Sequence, residues 1–166
     1  MTDLFKNLAN LLRLRGGPQD FPSSWKLTIS LLAIFIFQNL MTSQRLEDDN
    51  SAARLLLAIG LQVLVLAGLL LWRQVSERFT QTLSALVGVG IVFNAITWIL
   101  LTRSDPTEIQ PALAMAWYAV FIWSLFVDAN IYRHALSITL PVGMLVTVLT
   151  LAAGFILNEL LFLQSP

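Results

Sequence analysis

The chain has 166 residues, 57% of them hydrophobic and only 12% charged, with ten Lys and Arg balancing ten Asp and Glu and a mean hydropathy of +0.74. Soluble domains carry about 25% charged residues, so this composition describes an integral membrane protein with no bulk charge to attract nucleic acid. Cysteine is absent, which excludes disulfides, thiolate nucleophiles and thiolate metal sites and leaves packing to hold the fold.

Residues 2 to 15 place Leu4, Phe5, Leu8, Leu11 and Leu12 at the three-four spacing of one helical face, with Lys6, Asn7, Asn10 and Arg13 opposite. Thr2 and Asp3 suit the start of such a helix. Its charges interrupt any secretory apolar core and no small-residue cleavage site comes after it, so a retained helix is expected rather than a signal peptide. The expectation is a helix lying on the membrane surface, with Lys6, Arg13 and Arg15 toward lipid headgroups. The alternative is that the same face packs on a protein helix. Gly16 to Ser24 then forms a stiff elbow, broken by Gly-Gly-Pro and by Pro22, with Ser23 or Ser24 available to cap the first span.

Five apolar runs come next, at about 25–42, 55–72, 83–101, 112–133 and 141–162, each near the ~20 residues that a bilayer core requires. Residues 1–24 therefore form an amphipathic helix and elbow, and 25–163 form an all-α, five-span polytopic bundle. Connections this short leave no room for a soluble domain. Pro141 sits in a first turn, where its missing N–H would be unpaired anyway.

Orientation follows from the Lys and Arg bias between alternate loops. Lys6, Arg13, Arg15, Lys26, Arg73, Arg78 and Arg133 fall on one side, whereas Arg45, Arg54 and Arg103 fall on the other with Glu47, Asp48, Asp49, Asp105, Glu108 and Glu159. This predicts a cytoplasmic N-terminus and an exterior C-terminus. Trp25 and Trp72 share the cytoplasmic interface, and Trp98 lies near the outer one.

Gln38, Gln62, Asn94 and Thr97 are polar groups within the spans, and an unpaired amide is costly in hydrocarbon, so each is expected to face another helix. Ser84, Gly88 and Gly90 permit close backbone approach on the third span. The amides act either as helix-to-helix glue or as the lining of a substrate cavity.

The stretch from Trp117 to Leu136 holds the densest ionisable set beside an apolar span: Asp128, Arg133 and the sole histidine, His134. Asp128 falls about 24 Å along the span from Ala112 at ~1.5 Å per residue, which places it near the cytoplasmic interface, with Ser124 and Phe121 on the same face. One reading pairs it there with Arg73, Arg78 or Arg133, and on that reading Asp128→Asn is tolerated. The other is a proton-linked site in which Asp128 titrates, His134 relays and Arg133 tunes.

Catalytic signatures are missing. One His, no Cys, no Gly-x-Ser-x-Gly and no His-Glu-x-x-His supply neither a nucleophile–base pair nor metal ligands. Asp105 and Glu108, among Pro106 and Pro111, read as a solvated turn. Gly16-Gly17-Pro18 has no lysine placed for a phosphate loop. No cofactor and no metal is expected.

The elbow RGGPQDFPSS, with Arg15, Gly17, Pro18, Asp20, Pro22 and Ser24, resembles the R-x-G-P-x-D-x-P-x-S stretch before the first span of a group of small, uncharacterised proteobacterial inner-membrane proteins. A span that ends in Arg133, His134, Ala135 and Leu136 also looks like that group. At the level of topology, five spans and a Gly-Pro elbow resemble the Ypt-interacting (Yip) membrane proteins. That second resemblance implies an adaptor rather than an enzyme, and the first implies the bacterial inner membrane.

The expected function is a non-enzymatic scaffold, adaptor or complex subunit, with membrane lipids, other membrane proteins or a second copy of the chain as partners. The alternative is a small oligomeric transporter or channel with a proton-linked site near Asp128 and His134. A transport path needs water contact from both sides, whereas a scaffold does not.

Overall fold

A computed structural model describes residues 2–44, 50–104 and 110–162. They form six α-helices, α1 (Thr2–Leu12), α2 (Trp25–Gln44), α3 (Ser51–Trp72), α4 (Phe79–Arg103), α5 (Pro111–Leu136) and α6 (Leu140–Phe162). Single 3-10 turns occupy Pro18–Asp20 and Ser76–Arg78, and there is no strand among the described residues. The last five helices are each long and apolar enough to cross a membrane. The expected all-α, five-span layout is therefore the observed one. The predicted acidic cluster at Glu47, Asp48 and Asp49, with Arg45, and the turn containing Asp105, Pro106 and Glu108 lie outside the described residues.

Apolarity marks the part of a helix suited to lipid and not its ends, so all five helices run past the hydrophobic runs, α3 beginning at Ser51 rather than Leu55. The fourth does not stop at Arg133 but continues to Leu136, and the third begins at Phe79 rather than Leu83. At about 1.5 Å per residue, the extra turn of α5 moves Asp128 two turns inside the helix end.

Three helices, α1, α3 and α5, finish with the same closure. The N–H of Arg15 reaches the Asn10 carbonyl at 2.9 Å, that of Val75 reaches Leu70 at 2.9 Å and that of Ile138 reaches Arg133 at 3.0 Å. Just before each donor, Leu14, Gln74 and Ser137 take φ of 59°, 58° and 53°. This is the Schellman arrangement without its usual glycine, at a cost of about 1–2 kcal/mol per left-handed residue. Val75 and Ile138 then pack on the core, supplying the apolar contact that accompanies such a turn.

The bundle has two unlike ends. At the basal end lie the starts of α2, α4 and α6, the ends of α3 and α5, and the elbow; the distal end carries the opposite termini. Burial is concentrated basally: Thr28 and Leu31 of α2, Leu66 and Leu70 of α3, residues 82–89 of α4, Val127 to Leu136 of α5 (Asp128, Arg133 and His134 apart), and Gly143 and Thr147 of α6. Phe93, just past the middle of α4, lies furthest from that end, and no described residue distal to it is buried. Small residues let the basal helices close. A Cβ on Gly143 would collide with the Ala129 carbonyl oxygen, so α5 and α6 cross there backbone against backbone. Hydrogen bonds finish the seal, with the Thr28 and Ser84 hydroxyls 2.8 Å apart between α2 and α4.

The N-terminal helix differs from the expectation of a lipid-facing surface helix. Its apolar face docks on this chain's own α4 and α5: Leu11 is fully buried, Leu4, Leu8 and Leu12 pack on the core, and a Leu8 methyl comes within 3.3 Å of where a Cβ on Gly88 would stand. Phe5, 69% exposed, is the member of the face left uncovered, and Lys6, Arg13 and Arg15 point outward. A groove between two spans removes more of the leucines' apolar surface from water than the headgroup region would, which is the physical reason the alternative prevails.

Candidate functional site: an internal cavity ending at Asp128

The basal end is closed by backbone carbonyls that side chains find across long stretches of sequence. Trp123 donates its indole N–H to the Leu12 carbonyl at 3.0 Å, Asn130 donates to Gly16 at 3.1 Å, and Gln81 donates to Phe21 at 3.0 Å. Within the elbow, the Asp20 carboxylate accepts the Gly17 N–H at 3.2 Å and the Asp20 carbonyl accepts from the Asn7 amide. Arg73 donates to the Leu136 carbonyl at 3.2 Å, and Arg78 donates to Ala135 at 3.2 Å, to His134 at 3.4 Å and to the Ser137 hydroxyl at 3.3 Å. Two cations thus cap the carbonyl end of α5, where the helix dipole favours positive charge.

This geometry corrects the reading of Asp128 as an interfacial carboxylate held by arginine. Arg73 and Arg78 bond to α5 carbonyls, Arg133 projects outward, and no arginine pairs with Asp128 among the described residues. The carboxylate instead enters the interior. It lines a cavity of about 370 Å³ between α3, α5 and α6, together with Gln62, Ser124, Tyr132, Thr147 and Thr150, and this cavity runs up to Arg54 and Asn158 near the distal end. It also lines a second cavity of about 450 Å³ beside α2 and α4, with Gln62, Asn94, Thr97 and Ser124. Gln62, Ser124, Asp128 and Leu151 belong to both.

Asn94 continues the polar trail distally. It shares a third cavity of about 310 Å³ with Gln38 and Trp98. Neither the Gln38 Oε1 nor the Asn94 Nδ2 has a hydrogen-bond partner, although both atoms are buried. Two amides serving as helix glue would have bonded to each other or across a span. The open space exists because α3 meets the core through its basal half, with Leu66 and Leu70 buried and Val63 and Leu69 packed beside them, while its half from Arg54 to Val63 borders the first two cavities.

The sequence candidates therefore divide. Asp128, Ser124, Gln62 and Asn94 converge, and Gln38 joins them through Asn94. Arg133 and His134 lie apart, in a basal surface recess with Gln19, Arg78 and Ser137. A relay from Asp128 to His134 is not built, since the His134 Nδ1 lies 2.8 Å from the Asn130 carbonyl one turn earlier on its own helix. Sequence reasoning passed over Asn130, Gln81, Tyr132, Thr147 and Thr150. An asparagine two residues beyond Asp128 in an apolar span was a signal for the first, because a buried amide needs a partner.

Chemically, the arrangement offers one carboxylate, hydroxyl and amide hydrogen-bonding groups, and apolar walls. Among the described residues no three His, Asp or Glu side chains converge as metal ligands. Compared with protein-family models, with curated proteins and with solved structures, the chain matches none of them.

Proposed function

We propose that this chain is a small, non-enzymatic membrane transport protein of the bacterial inner membrane, in a state closed at the basal, cytoplasmic end and open toward the exterior, with Asp128 as its binding carboxylate. One observation carries the reading: a carboxylate that pairs with no basic side chain among the described residues stands at the closed end of an internal cavity inside five spans. Ionisable groups within spans are expensive and mark substrate or ion pathways when they face an internal cavity. The adaptor reading loses its main supports, because the α1 face and the polar trail are both occupied with this chain's own helices and cavities.

The chain has no native cysteine, so single cysteines report without background. Ser124→Cys and Asn94→Cys are expected to react with a membrane-impermeant maleimide added outside intact cells and to be protected in inverted vesicles. Val127→Cys, fully buried, is expected to stay unlabelled. If Ser124→Cys is inert from both faces in a folded protein, the cavity is sealed to water and a scaffold becomes the better account.

A further inference from the structure

The cavity also has a chemistry, and from it, on the basis of the transport reading above, we infer the class of ligand: an amphipathic organic monocation, an ammonium or other onium group carrying an apolar body. Its charge sits against Asp128 and its body lies between α3, α5 and α6.

Charge is the first argument. Among the described residues, Asp128 is the only acidic side chain on either wall of the two joined cavities. A carboxylate in apolar surroundings either holds a proton or is compensated by positive charge, and a bound cation can take the proton's place. The charged and titratable groups facing it are few: Arg54 from α3 and Tyr132 from its own helix, with none contributed to the walls by α2, α4 or α6. Arg54 does not serve as the counter-ion. Its guanidinium lies 5.4 Å from the Phe162 ring centroid at the distal end. Along α3 it is about 12 Å from Gln62, the residue that borders both cavities with Asp128, at ~1.5 Å per residue, well beyond ion-pair contact with that level of the cavity.

Size and polarity exclude the simpler cations. Magnesium and calcium take about six or more oxygen ligands, magnesium keeping several of them as water, whereas the described walls offer one carboxylate and scattered hydroxyl and amide groups between carbon surfaces, a poor fit to a hydrated dication. The cavities of about 370 and 450 Å³ fall in the range of small-molecule sites, roughly 300–1,000 Å³. Their walls are mostly carbon, with Leu61, Phe121, Leu125, Leu151 and Phe155 around the first. A strongly hydrated ion gains little there, but a weakly hydrated cation with an apolar body both buries surface and neutralises the carboxylate. An anion of the same shape meets Asp128 with the wrong sign.

The experiment uses two probes of one shape and opposite charge, tetraphenylphosphonium and tetraphenylborate, with the full-length chain in lipid nanodiscs and equilibrium dialysis as the readout. Saturable binding of tetraphenylphosphonium is expected, at least about tenfold weaker in Asp128→Asn and largely retained in Asp128→Glu, because one charge-assisted contact is lost in the first and kept in the second. Tetraphenylborate is expected to partition into lipid without saturating. Equal saturation by both probes, or unchanged tetraphenylphosphonium affinity in a folded Asp128→Asn, overturns the inference. The two readings fail separately. Maleimide labelling of Ser124→Cys without any saturable cation binding refutes the ligand class and leaves the open cavity standing, whereas absence of both removes the transport reading as well.

Discussion

Asn130 of α5 donates its side-chain amide to the carbonyl of Gly16 at 3.1 Å, across a separation of 114 residues. That bond pins the elbow to the basal end of the bundle, with Asn130 only 2% exposed and Gly16 half-buried. Removing the amide leaves a half-buried carbonyl without its partner and a space at a buried side chain. Asn130→Ala is expected to destabilise the protein by about 1–3 kcal/mol and to make the elbow the first site of protease cleavage. A thermal unfolding midpoint and a cleavage pattern both equal to the parent's would show that the elbow is held by packing alone.

Docking of α1 on its own bundle makes its buried and exposed positions behave differently. Leu11→Ala opens a cavity at a fully buried position and is expected to cost about 2–5 kcal/mol. Phe5→Ala, at an exposed position, is expected to leave unfolding within about 0.5 kcal/mol of the parent. The comparison is read from thermal melts in one detergent. Equal effects of the two substitutions would return α1 to the membrane surface.

Gly143 is a second local test, since the α5–α6 crossing depends on the absence of a side chain there. Gly143→Ala is expected to lose about 1–3 kcal/mol through overpacking. Gly60→Ala, with nothing within 4 Å of its would-be Cβ, is expected to be neutral or to gain up to about 1 kcal/mol from helix propensity. Chemical denaturation of the two variants side by side checks the order.

Asp128→Asn separates fold from function. The amide keeps the size of the side chain and removes a charge that no arginine among the described residues neutralises, so the variant is expected to express and to remain monodisperse with an unfolding midpoint no lower than the parent's. Transport or growth that depends on the chain is expected to be lost, because an amide carries no charge to balance a cation. A folded variant with full activity contradicts the role given to this carboxylate. This reverses the tolerant outcome that a purely interfacial position implies.

Topology is tested by reporters. Fusions after Arg73 and at Pro166 are expected to report the cytoplasm and the exterior respectively, following the basic bias of seven residues against three. Finding both on one side is incompatible with an odd number of spans between the two positions.

The span count and helical class were readable from the linear chain because hydrophobic length is a local property: about twenty apolar residues announce a helix of membrane length wherever they occur. The polarity of Asp128, Ser124, Gln62 and Asn94 was equally plain. Their convergence was not, since it depends on which face of each helix turns inward, and that is set by contacts such as Gly143 against Ala129 between segments that carry no record of each other. The same limit explains α1. Its amphipathic pattern specifies an apolar stripe without saying whether lipid or protein covers it, and the groove at Gly88 exists only once α4 and α5 stand side by side. Asp128 looked interfacial when depth was counted from the apolar run, because hydropathy ends where Arg133 appears. The helix, held by Arg73 and Arg78 on its last carbonyls, continues to Leu136 and carries the carboxylate inward.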